Sequence, residues 1–192
     1  QIFRQAGWAT SAFIGSFVRD SRWGISQGFD YYYDHFDFSK YKTISLDSVQ
    51  RKGGEVIKAF FDWFEGRPKK PFFSWIHLYD PHTPYDPPEQ FRTRYGSRPW
   101  GLYDGEIAYV DSLVGEVVAK LEKVGLMDKT LVVIVADHGE SLGEHQESGH
   151  GFFVYTATQS VPLIIRLPSV GFQGRIIEPQ VRNVDIMPTL LE

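Results

Sequence analysis

Histidines concentrate in two short segments, and each segment starts where an apolar run ends. Five of the six histidines lie in these segments. Residues 77–85 read His-Leu-Tyr-Asp-Pro-His-Thr-Pro-Tyr and follow the apolar run 71–76. Residues 137–151 open with Asp-His-Gly-Glu and end with His-Gly, after the run 131–136. Imidazole and carboxylate groups bind metal ions, move protons and contact anions. Their clustering after buried strands predicts a functional site.

Asp137 and His138 are the strongest candidates for metal ligands. They are adjacent, directly after an apolar run. On a continuing strand they would face opposite ways, but Gly139 permits a bend that brings both side chains to one ion. A carboxylate oxygen with an imidazole nitrogen suits Zn²⁺ or Mn²⁺ better than an all-oxygen Ca²⁺ cage. The alternative interpretation is a strand-to-loop turn with solvated polar side chains.

The rest of the second segment offers a further candidate. His150 has glycine on both sides, and glycine lets a backbone come close to a ligand. Glu140 either orients a ligand from behind or caps the next turn. Glu144 and His145 are interpreted as solvated loop residues.

The first segment offers three candidates for substrate binding. His77, Asp80 and His82 could each hold a metal, orient a ligand or donate a proton. His82 lies furthest past the apolar run, so it is the best placed to hydrogen-bond an anionic oxygen or protonate a leaving group. His77 could instead be a hydrogen-bonded core histidine, and Asp80 before Pro81 could simply form a turn.

Apolar spacing predicts the elements that position these residues. It indicates helices over 2–6, 46–65, 103–124 and 185–191, strands over 8–14, 72–78, 131–136 and 161–167, an edge strand over 176–181, and an irregular stretch over 15–43. Alternating strands and helices predict an α/β fold with a mainly parallel sheet flanked by helices. Ligands of such sheets bind beyond the carboxyl ends of the strands, where both histidine segments fall.

Composition excludes several classes of function. The chain has 192 residues, enough for one domain with a core, and a net charge of -4. Without a large cluster of lysine and arginine, nucleic acid is not an expected partner. The absence of cysteine excludes disulfides and thiolate chemistry. No apolar run approaches the ~20 residues of a membrane span.

Several linked motifs together resemble one known family. They are Asp-His-Gly-Glu-Ser-Leu-Gly-Glu-His at 137–145, Gly-His-Gly at 149–151, Val-Pro-Leu-Ile-Ile-Arg at 161–166, Asp-Pro-His-Thr-Pro-Tyr at 80–85, the helix 103–115 and Val-Asp-Ile-Met-Pro-Thr-Leu at 184–190. This set resembles the carboxy-terminal half of the sulfatase family, within the alkaline-phosphatase superfamily. The resemblance implies an alkaline-phosphatase-like fold. It also implies that residues 1–192 are a fragment of a single sulfatase-like catalytic domain. It gives Asp111 and Asp185 structural roles.

The resemblance also implies roles for the candidate residues. Asp137 and His138 would bind a divalent metal ion, with Zn, Mn, Ca and Mg all open. His82 would contact a sulfate or phosphate group or protonate the leaving oxygen. His150 stands where family members carry a Lys or His that binds the transferred group or a second metal.

Two departures from the family pattern keep alternatives open. Many sulfatases follow the metal-binding Asp with Asn, whereas His138 is similar to phosphoesterases, phosphonate hydrolases and phosphoethanolamine transferases. No Cys-x-Pro-x-Arg motif is present, so no nucleophile is assigned in this chain. Because the family carries its nucleophile in an amino-terminal strand and helix, the resemblance implies that this chain begins after that portion.

Three functional hypotheses follow. The favoured one is metal-dependent hydrolysis of sulfate esters. The second is a phosphoester or phosphonate hydrolase, or a phosphoethanolamine-type transferase. The third is a catalytically inert fragment that lacks the nucleophile. The first two share an anionic ester substrate, and the resemblance favours a periplasmic or extracellular location.

Overall fold

The computed structural model describes residues 1–40, 48–168 and 174–192. The chain divides into two compact units, Gln1–Ala119 and Lys120–Glu192, and each is described by itself. The helices are α1 (Ile2–Gln5), α2 (Gly53–Gly66), α3 (Glu89–Tyr95), α4 (Gly101–Lys123), α5 (Thr156–Gln159) and α6 (Ile186–Leu191). The strands are β1 (Ala9–Ile14), β2 (Tyr31–Tyr33), β3 (Phe72–His77), β4 (Val132–Val135), β5 (Ser141–Leu142), β6 (Ser148–Gly149) and β7 (Leu163–Arg166).

A parallel three-stranded sheet, ordered β2-β1-β3, forms the centre of the first unit. The middle strand β1 is buried along its whole length, as expected of an apolar strand covered on both faces. Helix α2 packs against it, with the Phe13 ring edge-on to Phe60 at 5.6 Å. Ile14 pairs with His77 at the last position of the β1–β3 register. The carboxyl ends of these two strands therefore lie side by side.

Helix α2 begins later than the apolar spacing predicts. Residues 48–52 are not helical, so the predicted helix 46–65 is wrong at its start, and Leu46 lies outside the described residues. The backbone there pairs with the segment that follows β1: the Arg51 amide donates to Gly15 O at 2.7 Å and the Phe17 amide to Val49 O at 2.9 Å. These long-range hydrogen bonds occupy the backbone amide of Arg51 and the carbonyl of Val49, which a helix would need for its own hydrogen bonds. Val49 is still buried, but it lies in a non-helical segment and not in the helix.

The second unit contains two antiparallel pairs. Strand β4 pairs with β7 from Val132–Arg166 to Val135–Leu163, and β5 pairs with β6 in a short hairpin. The Arg166 guanidinium secures the first pair by donating to Met127 O at 2.7 Å. Strands β4 and β7 were both predicted, but their pairing is antiparallel, so the parallel part of the α/β fold is the sheet of the first unit.

Most of the other predicted strands and helices are present in the structure, but one predicted strand is not. Strands β1 and β3 and helices α1, α4 and α6 are confirmed, within a few residues of the predicted bounds. The edge strand predicted over 176–181 is wrong: these residues are exposed and form no strand, and Pro179 lacks the amide that a ladder requires. Strand β2 lies within the stretch predicted to be irregular. No helix in the described ranges combines the length and apolar character needed to cross a membrane.

A tight contact at the start of α2 gives a test of this packing. A Cβ on Gly53 would lie 2.5 Å from Leu113 Cδ1 and 2.6 Å from Asp80 Oδ2. We therefore expect Gly53→Ala to lower the free energy of unfolding by about 1–3 kcal/mol, as overpacking does. Urea denaturation measures this. The matched control is Gly115→Ala in α4, where a Cβ meets nothing within 4 Å; it should raise stability by about 0.5–1 kcal/mol. Equal effects of the two substitutions would contradict the packing described.

Candidate functional site

The hairpin of the second unit places His150 beside Glu140. Ser141 pairs with Gly149, so the residues just outside that pair are neighbours. The His150 Nδ1–H donates to Glu140 Oε1 at 3.1 Å, and the glutamate side chain is 6% exposed. A carboxylate only accepts hydrogen bonds, so the ring proton lies on Nδ1 and the lone pair of the neutral ring lies on Nε2. Glu140 thus orients His150 from behind.

His138 lies against His150 in the same unit. The two ring centroids are 4.0 Å apart. The His138 Nδ1–H donates to Gly139 O at 2.8 Å, which again places the lone pair of the neutral ring on Nε2. Metal-binding histidines commonly donate their other ring N–H to a carbonyl or carboxylate in this way. His138 and His150 therefore both have the tautomer that a ligand through Nε2 requires.

Asp137 supplies a carboxylate next to His138. Its Oδ1 accepts from the His138 amide at 3.1 Å and lies 3.8 Å from His138 Nε2. One ion with ligand bonds of about 2.0–2.2 Å could touch both atoms. Within the ranges that the structure describes, no three histidine, aspartate or glutamate side chains form a group that could hold a metal. The donor chemistry of the pair fits a divalent ion, but the pair is only part of a ligand set.

The turn that carries these residues is closely packed. The Gly139 amide donates to Thr158 O at 2.8 Å, and a Cβ at Gly139 would lie 2.1 Å from Ala157 O. A side chain at this position would therefore push the turn away from α5. The Asn183 side chain donates to Ala136 O at 3.1 Å and fixes the end of β4. Asn183 was not identified from the sequence, because nothing local links it to the histidine segment.

His82 lies in the first unit, in the turn after β3. Its ring stacks on Tyr79 at 4.4 Å between centroids, and its Nδ1–H donates to Thr83 O at 2.7 Å. As in His138 and His150, this bond assigns the lone pair of the neutral ring to Nε2. The stack and the hydrogen bond together hold the ring in one orientation.

The side chains of His77 and Asp80 contact neighbouring groups of the first unit. His77 ends β3, between the rings of Trp75 at 5.9 Å and Tyr79 at 5.7 Å. Asp80 is 6% exposed, and its Oδ1 accepts from the Gly53 amide at 2.9 Å. The position of Asp80 suits the turn interpretation, whereas His77 is half-buried at the end of β3. A direct contact of either residue with substrate stays a prediction.

A second buried carboxylate holds the far end of the His82 segment. Glu106 is 1% exposed, and its Oε1 accepts from the Asp86 amide at 2.8 Å. Burial raises the pKa of Asp80. It also raises the pKa of Glu106 to about 7, with a further contribution from the Asp80 charge. Glu106 was missed in the sequence, although an acidic residue among the apolar positions of a helix is a recognisable signal. Residues 80–86 are thus anchored at both ends by buried carboxyl groups.

Comparison with known proteins decides the family. The family model for sulfatases matches residues 1–192. The chain belongs to the sulfatase family. An arylsulfatase of Clostridium perfringens is 25% identical over 178 residues, covering 71% of this chain and 37% of that protein. An endo-4-O-sulfatase of Bacteroides thetaiotaomicron is 24% identical over 200 residues, covering 85% and 39%. This sulfatase-family chain therefore spans less than half the length of these curated relatives.

A solved structure supports the fold. A protein of the alkaline phosphatase superfamily from Vibrio parahaemolyticus matches with a TM-score of 0.71 and 22% identity, covering 99% of this chain and 45% of that one. The family and the alkaline-phosphatase-like fold implied by the resemblance are therefore confirmed.

The raised pKa of Glu106 predicts a pH-dependent stability. The folded state favours the protonated carboxyl, whose pKa rises from 4.5 to about 7. Its stabilising effect is complete below pH 4.5 and is lost as the pH rises to 7. Relative to Glu106→Gln, the free energy of unfolding should fall by up to about 3 kcal/mol across this range. Urea denaturation with EDTA present measures it, and the exposed Glu116→Gln is the control. A difference that does not change with pH would contradict the assignment.

The tautomer of His150 can be tested directly. Removing the acceptor with Glu140→Ala should release the Nδ1 proton, so that the neutral ring populates both tautomers. Long-range ¹H–¹⁵N spectra at a pH above the histidine titration measure this. Glu140→Gln replaces the carboxylate with an amide that can both accept and donate, so it should no longer impose the Nδ1–H form, and His82 should be unchanged in both variants. An Nε2–H form of His150 in the unmodified chain would refute the described hydrogen bond.

Proposed function

We propose that the complete protein hydrolyses sulfate esters with a divalent metal ion. The observation that carries the proposal is the cluster of Asp137, His138 and His150 in a chain whose whole length matches the sulfatase family. The relatives named arylsulfatase and endo-4-O-sulfatase support sulfate as the transferred group. We also propose that 1–192 belongs to a single catalytic domain.

Asp137 and His138 are the proposed metal ligands. The bond from His138 to Gly139 O assigns its lone pair to Nε2, and the Asp137 carboxylate lies beside that atom. A nitrogen and an oxygen donor suit Zn²⁺ or Mn²⁺, although Ca²⁺ and Mg²⁺ stay open for the complete ligand set. When bound, the ion would neutralise charge on the nonbridging oxygens of the ester.

The two other histidines would act on the ester itself. With Nδ1–H held by Thr83 O, His82 presents Nε2, and in its protonated form Nε2–H can donate to the leaving oxygen. His150 can hold an anionic oxygen in the same way through Nε2, because its Nδ1–H donates to the Glu140 carboxylate.

A specific residue favours the second candidate function. His138 follows the metal-binding carboxylate, as in the phosphoesterases of the superfamily, so phosphoester or phosphonate hydrolysis and phosphoethanolamine transfer are the alternatives. The inert-fragment hypothesis applies to this chain by itself, because it has no Cys-x-Pro-x-Arg motif and no nucleophile is assigned in it.

Turnover and metal content of the complete protein test the proposal. We expect faster hydrolysis of an aryl sulfate than of an aryl phosphate diester. His138→Ala should reduce the metal content to background by elemental analysis, because an alanine offers no ligand atom. It should also lower turnover by about 100-fold or more. Loss of a residue that merely hydrogen-bonds to a metal ligand typically costs about 10- to 100-fold, and loss of the ligand itself should cost at least as much.

His145→Ala is the matched control for these measurements. This exposed histidine lies in the same unit but between β5 and β6, where it stacks on Tyr155 at 4.0 Å, so its loss should leave the metal content unchanged. Unchanged metal in His138→Ala would refute the ligand assignment. A preference for the phosphate diester would favour the second function, and no turnover of either ester would favour the inert one.

A further inference from the structure

A polar cavity lies beside the start of α2 in the first unit. It has a volume of about 160 Å³, and Lys52, Asp80 and Glu106 are among the residues that line it. Several water molecules fit this volume, since a water occupies about 30 Å³ in the liquid. Every residue that lines the cavity belongs to the first unit.

Two of the residues that line this cavity each have a carboxylate oxygen without a hydrogen-bond partner. Asp80 Oδ2 and Glu106 Oε2 are buried and have no hydrogen-bond partner among the described residues. The other oxygen of each group is used, by the Gly53 amide and the Asp86 amide respectively. Buried polar atoms are nearly always partnered, and two buried carboxylates in one cavity repel each other. The cavity therefore calls for a positive group.

The cationic side chains that line the cavity are engaged elsewhere. The Lys52 ammonium donates to the Asp86 backbone oxygen and, at 3.1 Å, to its carboxylate. The Arg51 guanidinium donates to Ile14 O at 2.7 Å and to His35 O at 2.5 Å. Neither side chain is hydrogen-bonded to the two unpartnered oxygens. The Lys52 charge nevertheless lowers the pKa of both carboxyl groups, against the larger effect of burial.

We propose that this cavity binds a hard divalent cation such as Ca²⁺ through Asp80 Oδ2 and Glu106 Oε2. Both donors are carboxylate oxygens, which Ca²⁺ prefers, and its charge offsets those of the two carboxylates. Because no third acidic or histidine side chain joins them in the described part of the chain, water completes the coordination. Such a site belongs to the weak class of calcium sites, with dissociation constants of about 10⁻⁴–10⁻³ M.

The bound cation would have a mechanical effect on the His82 segment. Asp80 begins residues 80–86 and contacts α2, whereas Glu106 belongs to α4 and holds the amide of Asp86. A cation shared by the two carboxylates joins both anchors of this segment. The inference is independent of the chemistry proposed for the ester.

Calcium-dependent thermal stability tests the site. The double variant Asp137→Asn, His138→Ala serves as the background, because it removes the other candidate metal ligands. At ~10 mM Ca²⁺ we expect its melting temperature to rise by roughly 3–8 °C, and Glu106→Gln in that background should abolish the rise. Glu116→Gln, on an exposed part of α4, should keep it. Unfolding in EDTA checks that each variant is folded.

Terbium luminescence provides a second measurement. The Tyr109 hydroxyl accepts from the Gly54 amide at 2.9 Å, next to the residue that contacts Asp80. Tyr109 should sensitise bound Tb³⁺, and both Ca²⁺ addition and Glu106→Gln should remove the signal. No calcium-dependent shift in the background, or an equal shift in Glu106→Gln, would overturn the proposal. Stabilisation obtained only by acidification would show that a proton fills the role, which also overturns it.

Discussion

One hydrogen bond, from the Gly53 amide to the buried Asp80 carboxylate, connects the parts of the first unit that hold the His82 segment. It satisfies an amide at the first turn of α2, where a helix has no internal acceptor. It also fixes the chain directly after β3. The absence of a side chain at Gly53 is what permits the contact, because a Cβ there would clash with the same carboxylate. The helix start and the His82 segment are therefore positioned by one shared group.

Three histidines on different elements share one arrangement. His82 and His138 each donate Nδ1–H to a neighbouring backbone carbonyl, and His150 donates to Glu140. A backbone carbonyl or a carboxylate can accept a hydrogen bond but cannot donate one. These acceptors therefore select the tautomer with the proton on Nδ1. This selection needs no substrate or ion. The fold itself therefore determines which ring nitrogen of each histidine carries the proton.

Local patterns predicted most elements but not the long-range contacts. Apolar patterns identified β1, β3, β4 and β7. Strand β1 is buried along its whole length, whereas β4 and β7 each carry exposed apolar residues. The start of α2 was misplaced since residues 48–52 bond to the segment after β1, which spacing cannot reveal. The same limit applies to the site. The histidine segments were evident from residue type, whereas Glu106 and Asn183 act through backbone groups distant in sequence. Antiparallel pairing of β4 with β7 likewise depends on partner choice and not on either strand's pattern.

The Asp80 contact also constrains the order in which the first unit assembles. Strand β3 lies about 60 residues after β1, and parallel pairing across such a separation is slow to form. The first amide of α2 meets its acceptor only after the chain following β3 has arrived. The middle of the helix can form early from local contacts, but its beginning is completed late. The acceptor of that amide therefore depends on the position of the chain after β3.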